Sequence, residues 1–361
     1  MRKLTCEQVE RYTKSIEKSF HAYATLQKED GSFGLNHASY YNAFYMLYLA
    51  GDWTAARRLH AWTSKELVGG DGLHDIESTQ DDCHGYWVKR GTYLKAWHVV
   101  GAHLCGFYDQ SLKAADSLMR YVDVEHGGCY MDDDGRARRT LMCFSTSGSV
   151  GRALLAVGKR YEAYRVAEWM LKMIDEQPDL ETGFYEYMDA HTGKIVTDAN
   201  PVSPYYTKDD FDPDLFCYWN KTGPQGWAMF GPTTDFLAGM YQMTGDARYL
   251  DGMMKIFNLF YDNEAYGSLS FIASGKMLQG LPVLYLATGD ERILDACVKL
   301  CDYLVSIQKP SGVWIGDSGS IEAYMATGLS REAAEYANLF ELAAQTADEV
   351  ISIMAVLKYL S

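Results

Sequence analysis

The sequence predicts an all-α ring in which six buried helices alternate with six peripheral ones, and three observations carry that reading. Five glycines, Gly51, Gly106, Gly158, Gly245 and Gly289, each follow a largely apolar run and precede an amphipathic one. Glycine just past a helix, followed at once by a second helical pattern, marks a tight reversal between antiparallel helices. The steps between these glycines are each one hairpin long, with an insertion in the third, so the chain repeats internally. The runs before the glycines are also apolar most of the way round, whereas those after them mix charges with an apolar stripe. These are the patterns of a helix buried on several sides and of a helix with one wet face.

Each element follows from that alternation. The opening segment, Glu7 to Lys28, is charged and amphipathic and belongs to the periphery. Buried helices are expected at 37–50, 84–105, 141–157, 222–244 and 271–288, with peripheral partners at 52–66, 108–122, 159–176, 246–262 and 290–308. The last buried helix, 346–360, is uncharged through most of its length and is expected to open with a capping box from Thr346 to Glu349. Connections on one side are the glycine reversals. Those on the other are long: 29–36, 67–83, 123–140, 177–221, 263–270 and 309–345. Several repeat a phrase with glycine beside an aromatic, as in LQKEDGSFG from Leu26, HGGCYMDDDG from His126, ETGFYEYMD from Glu181 and IQKPSGVWIG from Ile307. Such phrases suit short turns or hairpins at the rim of the ring. The whole of 1–361 is expected to form one domain, with 177–221 as a long loop insertion.

Bulk properties narrow the function. With 33 basic against 48 acidic residues, the net charge of −15 argues against phosphate backbones and anionic membranes as partners. No stretch approaches the ~20 apolar residues of a spanning helix. The first residues lack the apolar core of a secretory signal, and the eight cysteines are scattered, so a cytoplasmic protein with reduced thiols is expected.

Loops on a rigid scaffold carry most binding chemistry, so the candidates come from the long-loop side. The densest is STQDDCHGYW, where Asp81, Asp82, Cys83 and His84 gather at the start of a buried helix and Trp87 follows. Carboxylates and an imidazole beside unpaired helix N–H groups suit general acid/base work, with Asp81, Asp82 and His84 as the reacting groups. The insertion ends in YTKDDFDPDLFCYWNKTGPQGW, which mixes acceptors with aromatic faces. Sugar C–H faces stack on such rings, so Tyr218 is a further catalytic candidate and Trp219 and Trp227 are cavity lining. His37 and Tyr41 open the first buried helix, Cys129 lies in the third loop, Cys143 and Ser145 open the third buried helix, and Lys276 and Asp348 lie in the last two. His37, Tyr41, Trp87, Cys129, Cys143, Lys276 and Asp348 complete the substrate-binding set with Trp219 and Trp227, while Glu349 reads as a cap. No dinucleotide fingerprint, P-loop or nucleophile elbow is present, and neither a cofactor nor a metal is expected.

On these features the chain resembles the (α/α)6 barrels, the α-α toroids shared by many sugar-active enzymes, terpenoid cyclases and protein prenyltransferases. The stretch 126–196, with GGCYMDDDGR, CFSTSGSVGRALLAVGKRYEAYRVAEWM and GFYEYMDAHTGKIV, is similar to the N-acylglucosamine 2-epimerase pattern. Asp81 with Cys83 resembles part of the prenyltransferase zinc site, and Cys83-His84-Gly85 part of the lanthionine cyclase site, but the further ligands of either are missing. The resemblance implies an acid/base enzyme acting on a small molecule, most readily a carbohydrate, as an epimerase, isomerase or glycoside hydrolase. The alternative is a terpenoid or polyketide isomerase, dehydratase or cyclase, for which the thiol-rich linalool dehydratase-isomerase toroid is the nearest likeness. A binding toroid without catalysis is the third reading, and would show an apolar groove instead of a polar pocket.

Overall fold

The computed structural model describes residues 1–33, 40–73, 91–131, 139–211, 216–223, 225–315, 325 and 331–361. Peripheral helices are α1 (Cys6–Leu26), α3 (Trp53–Glu66), α5 (Tyr108–Leu118), α7 (Arg160–Asp175), α9 (Arg248–Asp262) and α11 (Glu291–Ile307). They enclose α2 (Ala43–Ala50), α4 (Gly91–Leu104), α6 (Phe144–Ala156), α8 (Phe230–Thr244), α10 (Leu281–Thr288) and α12 (Arg331–Leu360). The inner helices are buried nearly all round: every residue of α6 from Phe144 to Leu154 is buried. Each of the five hinge glycines is left-handed, with φ between 67° and 81°. At Gly51 the turn closes through its N–H onto Leu47 and Tyr48 carbonyls, a conformation that costs a side-chain-bearing residue about 1 kcal/mol.

The inner ring closes seam by seam, and small residues let the helices approach. Gly101 of α4 lies against Phe44 and Tyr45, and Gly148 of α6 against Thr233 of α8. Gly231 of α8 meets the backbone of Lys276, and Gly275 lies on the Glu349 carboxyl of α12. The Asn42 amide then donates to the Ala344 carbonyl at 2.9 Å, joining the last inner helix to the first.

The repeated loop phrases also have a structural cause. Lys28 N–H bonds to Ser32 carbonyl, Gly69 N–H to Leu73 carbonyl and Lys309 N–H to Val313 carbonyl, each closing a small turn around a positive-φ glycine. At Gly31 a Cβ would stand 2.4 Å from the Arg58 carbonyl oxygen, and at Gly312 2.5 Å from that of Lys18. The rim turns press flat onto a peripheral helix, so glycine recurs for want of space as well as for its backbone conformation.

Three expectations change. α12 begins at Arg331, so Thr346 and Glu349 form no capping box: the Thr346 hydroxyl accepts from the Trp314 N–H at 3.1 Å. The 271–288 run is a 3₁₀ segment, Ile272–Gln279, followed by α10. Close packing at Gly275 and Gly280 favours that narrower winding, and Pro282 supplies no N–H for a continuous α-helix. The 222–244 helix starts at Phe230, after a 3₁₀ turn at Trp227–Met229.

Short strands cover the third and fourth hairpins on the long-loop side. β1 (Leu141–Cys143), β3 (Tyr187–Asp189) and β4 (Lys194–Ile195) form one antiparallel sheet, in the order β1-β3-β4. β2 (Gly183–Tyr185) pairs with β5 (Cys217–Trp219), setting Phe184 opposite Tyr218. Around them Tyr187, Val196, Tyr206, Phe211 and Phe216 make a second, smaller apolar core. Among the described residues no helix is long and apolar enough to cross a membrane.

Candidate active site

Charged and phenolic side chains from four of the six inner segments meet inside the ring. Lys276 lies in the 3₁₀ segment and is 6% exposed, and its ammonium reaches the Asp348 carboxylate of α12 at 2.7 Å. The same ammonium donates to the Tyr41 hydroxyl at 3.2 Å and to the Tyr93 hydroxyl of α4 at 3.1 Å. The Tyr41 hydroxyl in turn donates to Asp348 Oδ2 at 2.5 Å, while the Asn42 amide donates to Oδ1 at 2.7 Å. All three ammonium protons and both carboxylate oxygens therefore have partners. Burial works against the Lys276 charge, but Asp348 and the Tyr93 oxygen outweigh it and hold the ammonium above the ordinary lysine range.

Neighbouring groups extend the network. Glu349 is buried beside Gly275 and accepts from the Gln345 amide through one oxygen, while Oε2 has no hydrogen-bond partner among the described residues. Burial, reinforced by the charge of Asp348, raises its carboxyl well above the usual range and favours the protonated form. Trp97 forms the wall between two cations: the Lys276 ammonium lies 5.1 Å from its ring centre and the Arg152 guanidinium of α6 4.3 Å. Arg152 pairs with Asp235 of α8 at 2.6 Å, on the hinge side of the ring. Three buried donors here, Arg152 Nη1, Trp97 Nε1 and Ser149 Oγ, have no hydrogen-bond partner among the described residues.

The thiols occupy a different layer. Cys143 Sγ lies 3.6 Å from Glu186 Oε2, and the same oxygen accepts from the Ser145 N–H at 3.0 Å, capping α6 from the link between β2 and β3. Burial, with Glu186 adding to it, pushes the Cys143 thiol up to about 12. Cys217 is likewise pushed up to about 12. Cys129 has no exposed surface, and its N–H donates to the Ser147 hydroxyl.

Of the residues singled out from sequence, Tyr41, Lys276 and Asp348 come together. Tyr218 and Trp227 are buried side by side with ring centres 5.2 Å apart, and the Tyr218 hydroxyl donates to the Gly226 carbonyl at 2.9 Å. Trp219, next in the strand, points the other way and is 43% exposed. His37, Asp81, Asp82, Cys83, His84 and Trp87 lie outside the described residues. Among the described residues no group of three or more His, Cys, Asp or Glu is placed to hold a metal ion. Sequence reasoning passed over Tyr93, Trp97, Asn42, Arg152, Asp235 and Glu186. Arg152 and Asp235 carried a usable signal, since each is a lone charge in an otherwise uncharged inner helix.

No protein-family model and no curated protein matches the sequence. Solved structures do match over nearly the full length. A D-mannose isomerase superposes with a TM-score of 0.63 at 14% identity, covering 96% of this chain and 97% of that one. A variant of a type II terpene cyclase from Scytonema, in complex with geranylgeranyl dihydroxybenzoate, gives 0.59 at 12% identity, covering 99% and 100%. An α-1,6-mannanase from Salegentibacter gives 0.58 at 12%, covering 97% and 100%. The chain therefore has the (α/α)6 toroid fold. That likeness defines the architecture, and the function has to be argued from the site.

Proposed function

We propose that the protein is an enzyme that interconverts a small carbohydrate by acid/base chemistry, as an isomerase or epimerase, at the Tyr41, Tyr93, Lys276 and Asp348 cluster. The carrying observation is that one buried ammonium donates to two phenol oxygens while its carboxylate partner accepts from one of them. An ammonium fixed beside a phenol oxygen stabilises negative charge that develops there in a transition state. Tyr41, whose proton already points at Asp348, suits the role of base: it takes a proton from an acidic C–H and its own passes to the carboxylate. Tyr93, which accepts from Lys276, keeps its O–H to donate to a substrate oxygen or to the opposite face of the carbon. That supplies the acid and base an epimerisation needs.

Two features favour this over the other readings. Glycoside hydrolysis uses two carboxylates flanking one bond, whereas the partners of Asp348 are an ammonium, a phenol and an amide. The buried donors on Arg152, Trp97 and Ser149 suit an oxygen-rich ligand better than a hydrocarbon, because a donor buried without an acceptor costs about 1–3 kcal/mol. The decisive experiment incubates the protein with a panel of aldoses, ketoses and N-acylamino sugars in deuterated water and follows exchange at the carbon beside the carbonyl by proton NMR. Exchange with interconversion, lost in Asp348→Asn, is expected. Absence of exchange with every sugar, or full activity in Asp348→Asn, removes the proposal.

A further inference from the structure

We infer that the insertion carries a second carbohydrate site, separate from the axis, that holds a neutral oligosaccharide against Trp219. Strand alternation creates it: β5 sends Tyr218 down onto Trp227 and Phe230, and so turns its neighbours Cys217 and Trp219 to the opposite face. On that face opens a cavity of about 720 Å³, well within the range of small-molecule sites. Its walls include the rings of Phe211, Phe216 and Trp219 with the polar ends of Asn200, Lys208 and Asp209. None of Tyr41, Tyr93, Lys276 or Asp348 is among the residues that line it.

The aromatic platform is held in place before any ligand arrives. The Gln225 amide clamps the Trp219 backbone from both sides, its oxygen accepting from the Trp219 N–H at 2.7 Å and its nitrogen donating to the Trp219 carbonyl at 2.7 Å. The indole also stands edge-on to Tyr185, with ring centres 5.9 Å apart. Gly183, directly opposite Trp219, leaves no room for a side chain: a Cβ there would lie 2.7 Å from the Tyr218 carbonyl oxygen. A ring fixed in this way and still 43% exposed forfeits little entropy when a ligand stacks on it.

The lining selects the ligand class. Apolar C–H faces match the rings, while hydroxyl groups match an amide, an ammonium and a carboxylate. Among the described lining residues the Lys208 ammonium is already paired with Asp209 at 2.9 Å, and the chain as a whole is acidic, so these residues do not favour a phosphate or polyanion. A neutral sugar chain satisfies both halves. This inference does not depend on turnover at the axis, since binding here uses none of the axial residues.

The test is isothermal titration with soluble tetrasaccharides of mannose, glucose, xylose and N-acetylglucosamine, on the whole chain and on Asp348→Asn, Trp219→Ala, Trp219→Phe and Asn200→Ala. Thermal melts check that each variant folds. Saturable binding of at least one tetrasaccharide by the wild type and by Asp348→Asn is expected, weakened about tenfold or more by Trp219→Ala and less by Trp219→Phe. Asn200→Ala weakens it independently of the ring. No binding of any tetrasaccharide, or equal binding by Trp219→Ala, overturns the inference, as does binding that disappears in Asp348→Asn alone. Failure of the axial proposal looks different: tetrasaccharides still bind at Trp219 but no sugar is interconverted.

Discussion

The mouth and the hinge side of the barrel each hold a buried cation paired with an aspartate, and both cations lie against the same indole, that of Trp97. At the mouth, the side chains of Lys276 and Asp348 are 8% and 7% exposed, and every polar atom of the pair is matched. On the hinge side, Arg152 is 9% exposed but Asp235 is 32% exposed, and Arg152 Nη1 has no acceptor among the described residues. The difference teaches that a buried ion pair is not in itself a site. Proton-transferring partners distinguish the two: Lys276 is surrounded by hydroxyl groups that can exchange protons, whereas a guanidinium stays charged throughout.

The largest effect that can break this comparison is Lys276→Met. It strands Asp348 as an uncompensated buried charge, so a stability loss of about 3–5 kcal/mol is expected in urea melts. Turnover should fall by about a thousandfold in steady-state assays. A variant that keeps its activity would move the chemistry elsewhere. Next comes Gly231→Ala, whose Cβ would sit 2.4 Å from the Lys276 carbonyl oxygen. Its cost of about 1–3 kcal/mol should come with lost activity, because the backbone that positions the ammonium has to shift. Gly51→Ala on the hinge side meets nothing within 4 Å and pays only for its left-handed backbone, about 1 kcal/mol, with turnover intact.

Arg152→Met should fall between them in stability, at about 1–2 kcal/mol, because the part-exposed Asp235 regains water when its partner is lost. In kinetics it should raise KM and spare kcat, the signature of a group that holds a substrate without reacting with it. A fall in kcat equal to that of Lys276→Met would erase the distinction between the two ends. The smallest effect is expected for Glu349→Gln. Burial raises the Glu349 carboxyl in the folded state, so the folded chain keeps a proton that the unfolded chain releases as pH rises past about 4.5. Stability is therefore lost as pH climbs above that value, and the glutamine variant escapes the loss. Its melting temperature relative to the wild type should rise between pH 4.5 and pH 8; a difference independent of pH would show that Glu349 is ionised in the fold.

Much of the scaffold was legible because it rests on local patterns. The five glycines, the alternation of apolar and amphipathic runs and the limits of the peripheral helices, such as 159–176 against Arg160–Asp175, follow from spacing that a single hairpin satisfies. The errors came where distant segments overrode that logic. Thr346 looked like a cap and instead binds the Trp314 backbone, and the 3₁₀ winding of Ile272–Gln279 reflects contacts with α8 and α12. At the candidate site, Tyr41 could be chosen because it opens the first buried run beside His37, and Lys276 and Asp348 because they are charges in otherwise apolar runs. Tyr93 and Trp97 could not, since aromatic residues in such a helix read as packing until a cation is found beside them.

The sequence by itself determined that this chain winds into helical hairpins and which face of each is buried, because burial patterning is written in neighbours three and four residues apart. Only the tertiary structure decided what those hairpins enclose. The Lys276 ammonium and the Tyr41 hydroxyl are 235 positions apart along the chain, and Tyr41 and Asp348 are 307 apart. Their meeting depends on the ring closing through Asn42 and Ala344, and no local pattern encodes a contact that exists only once the first and last inner helices are side by side.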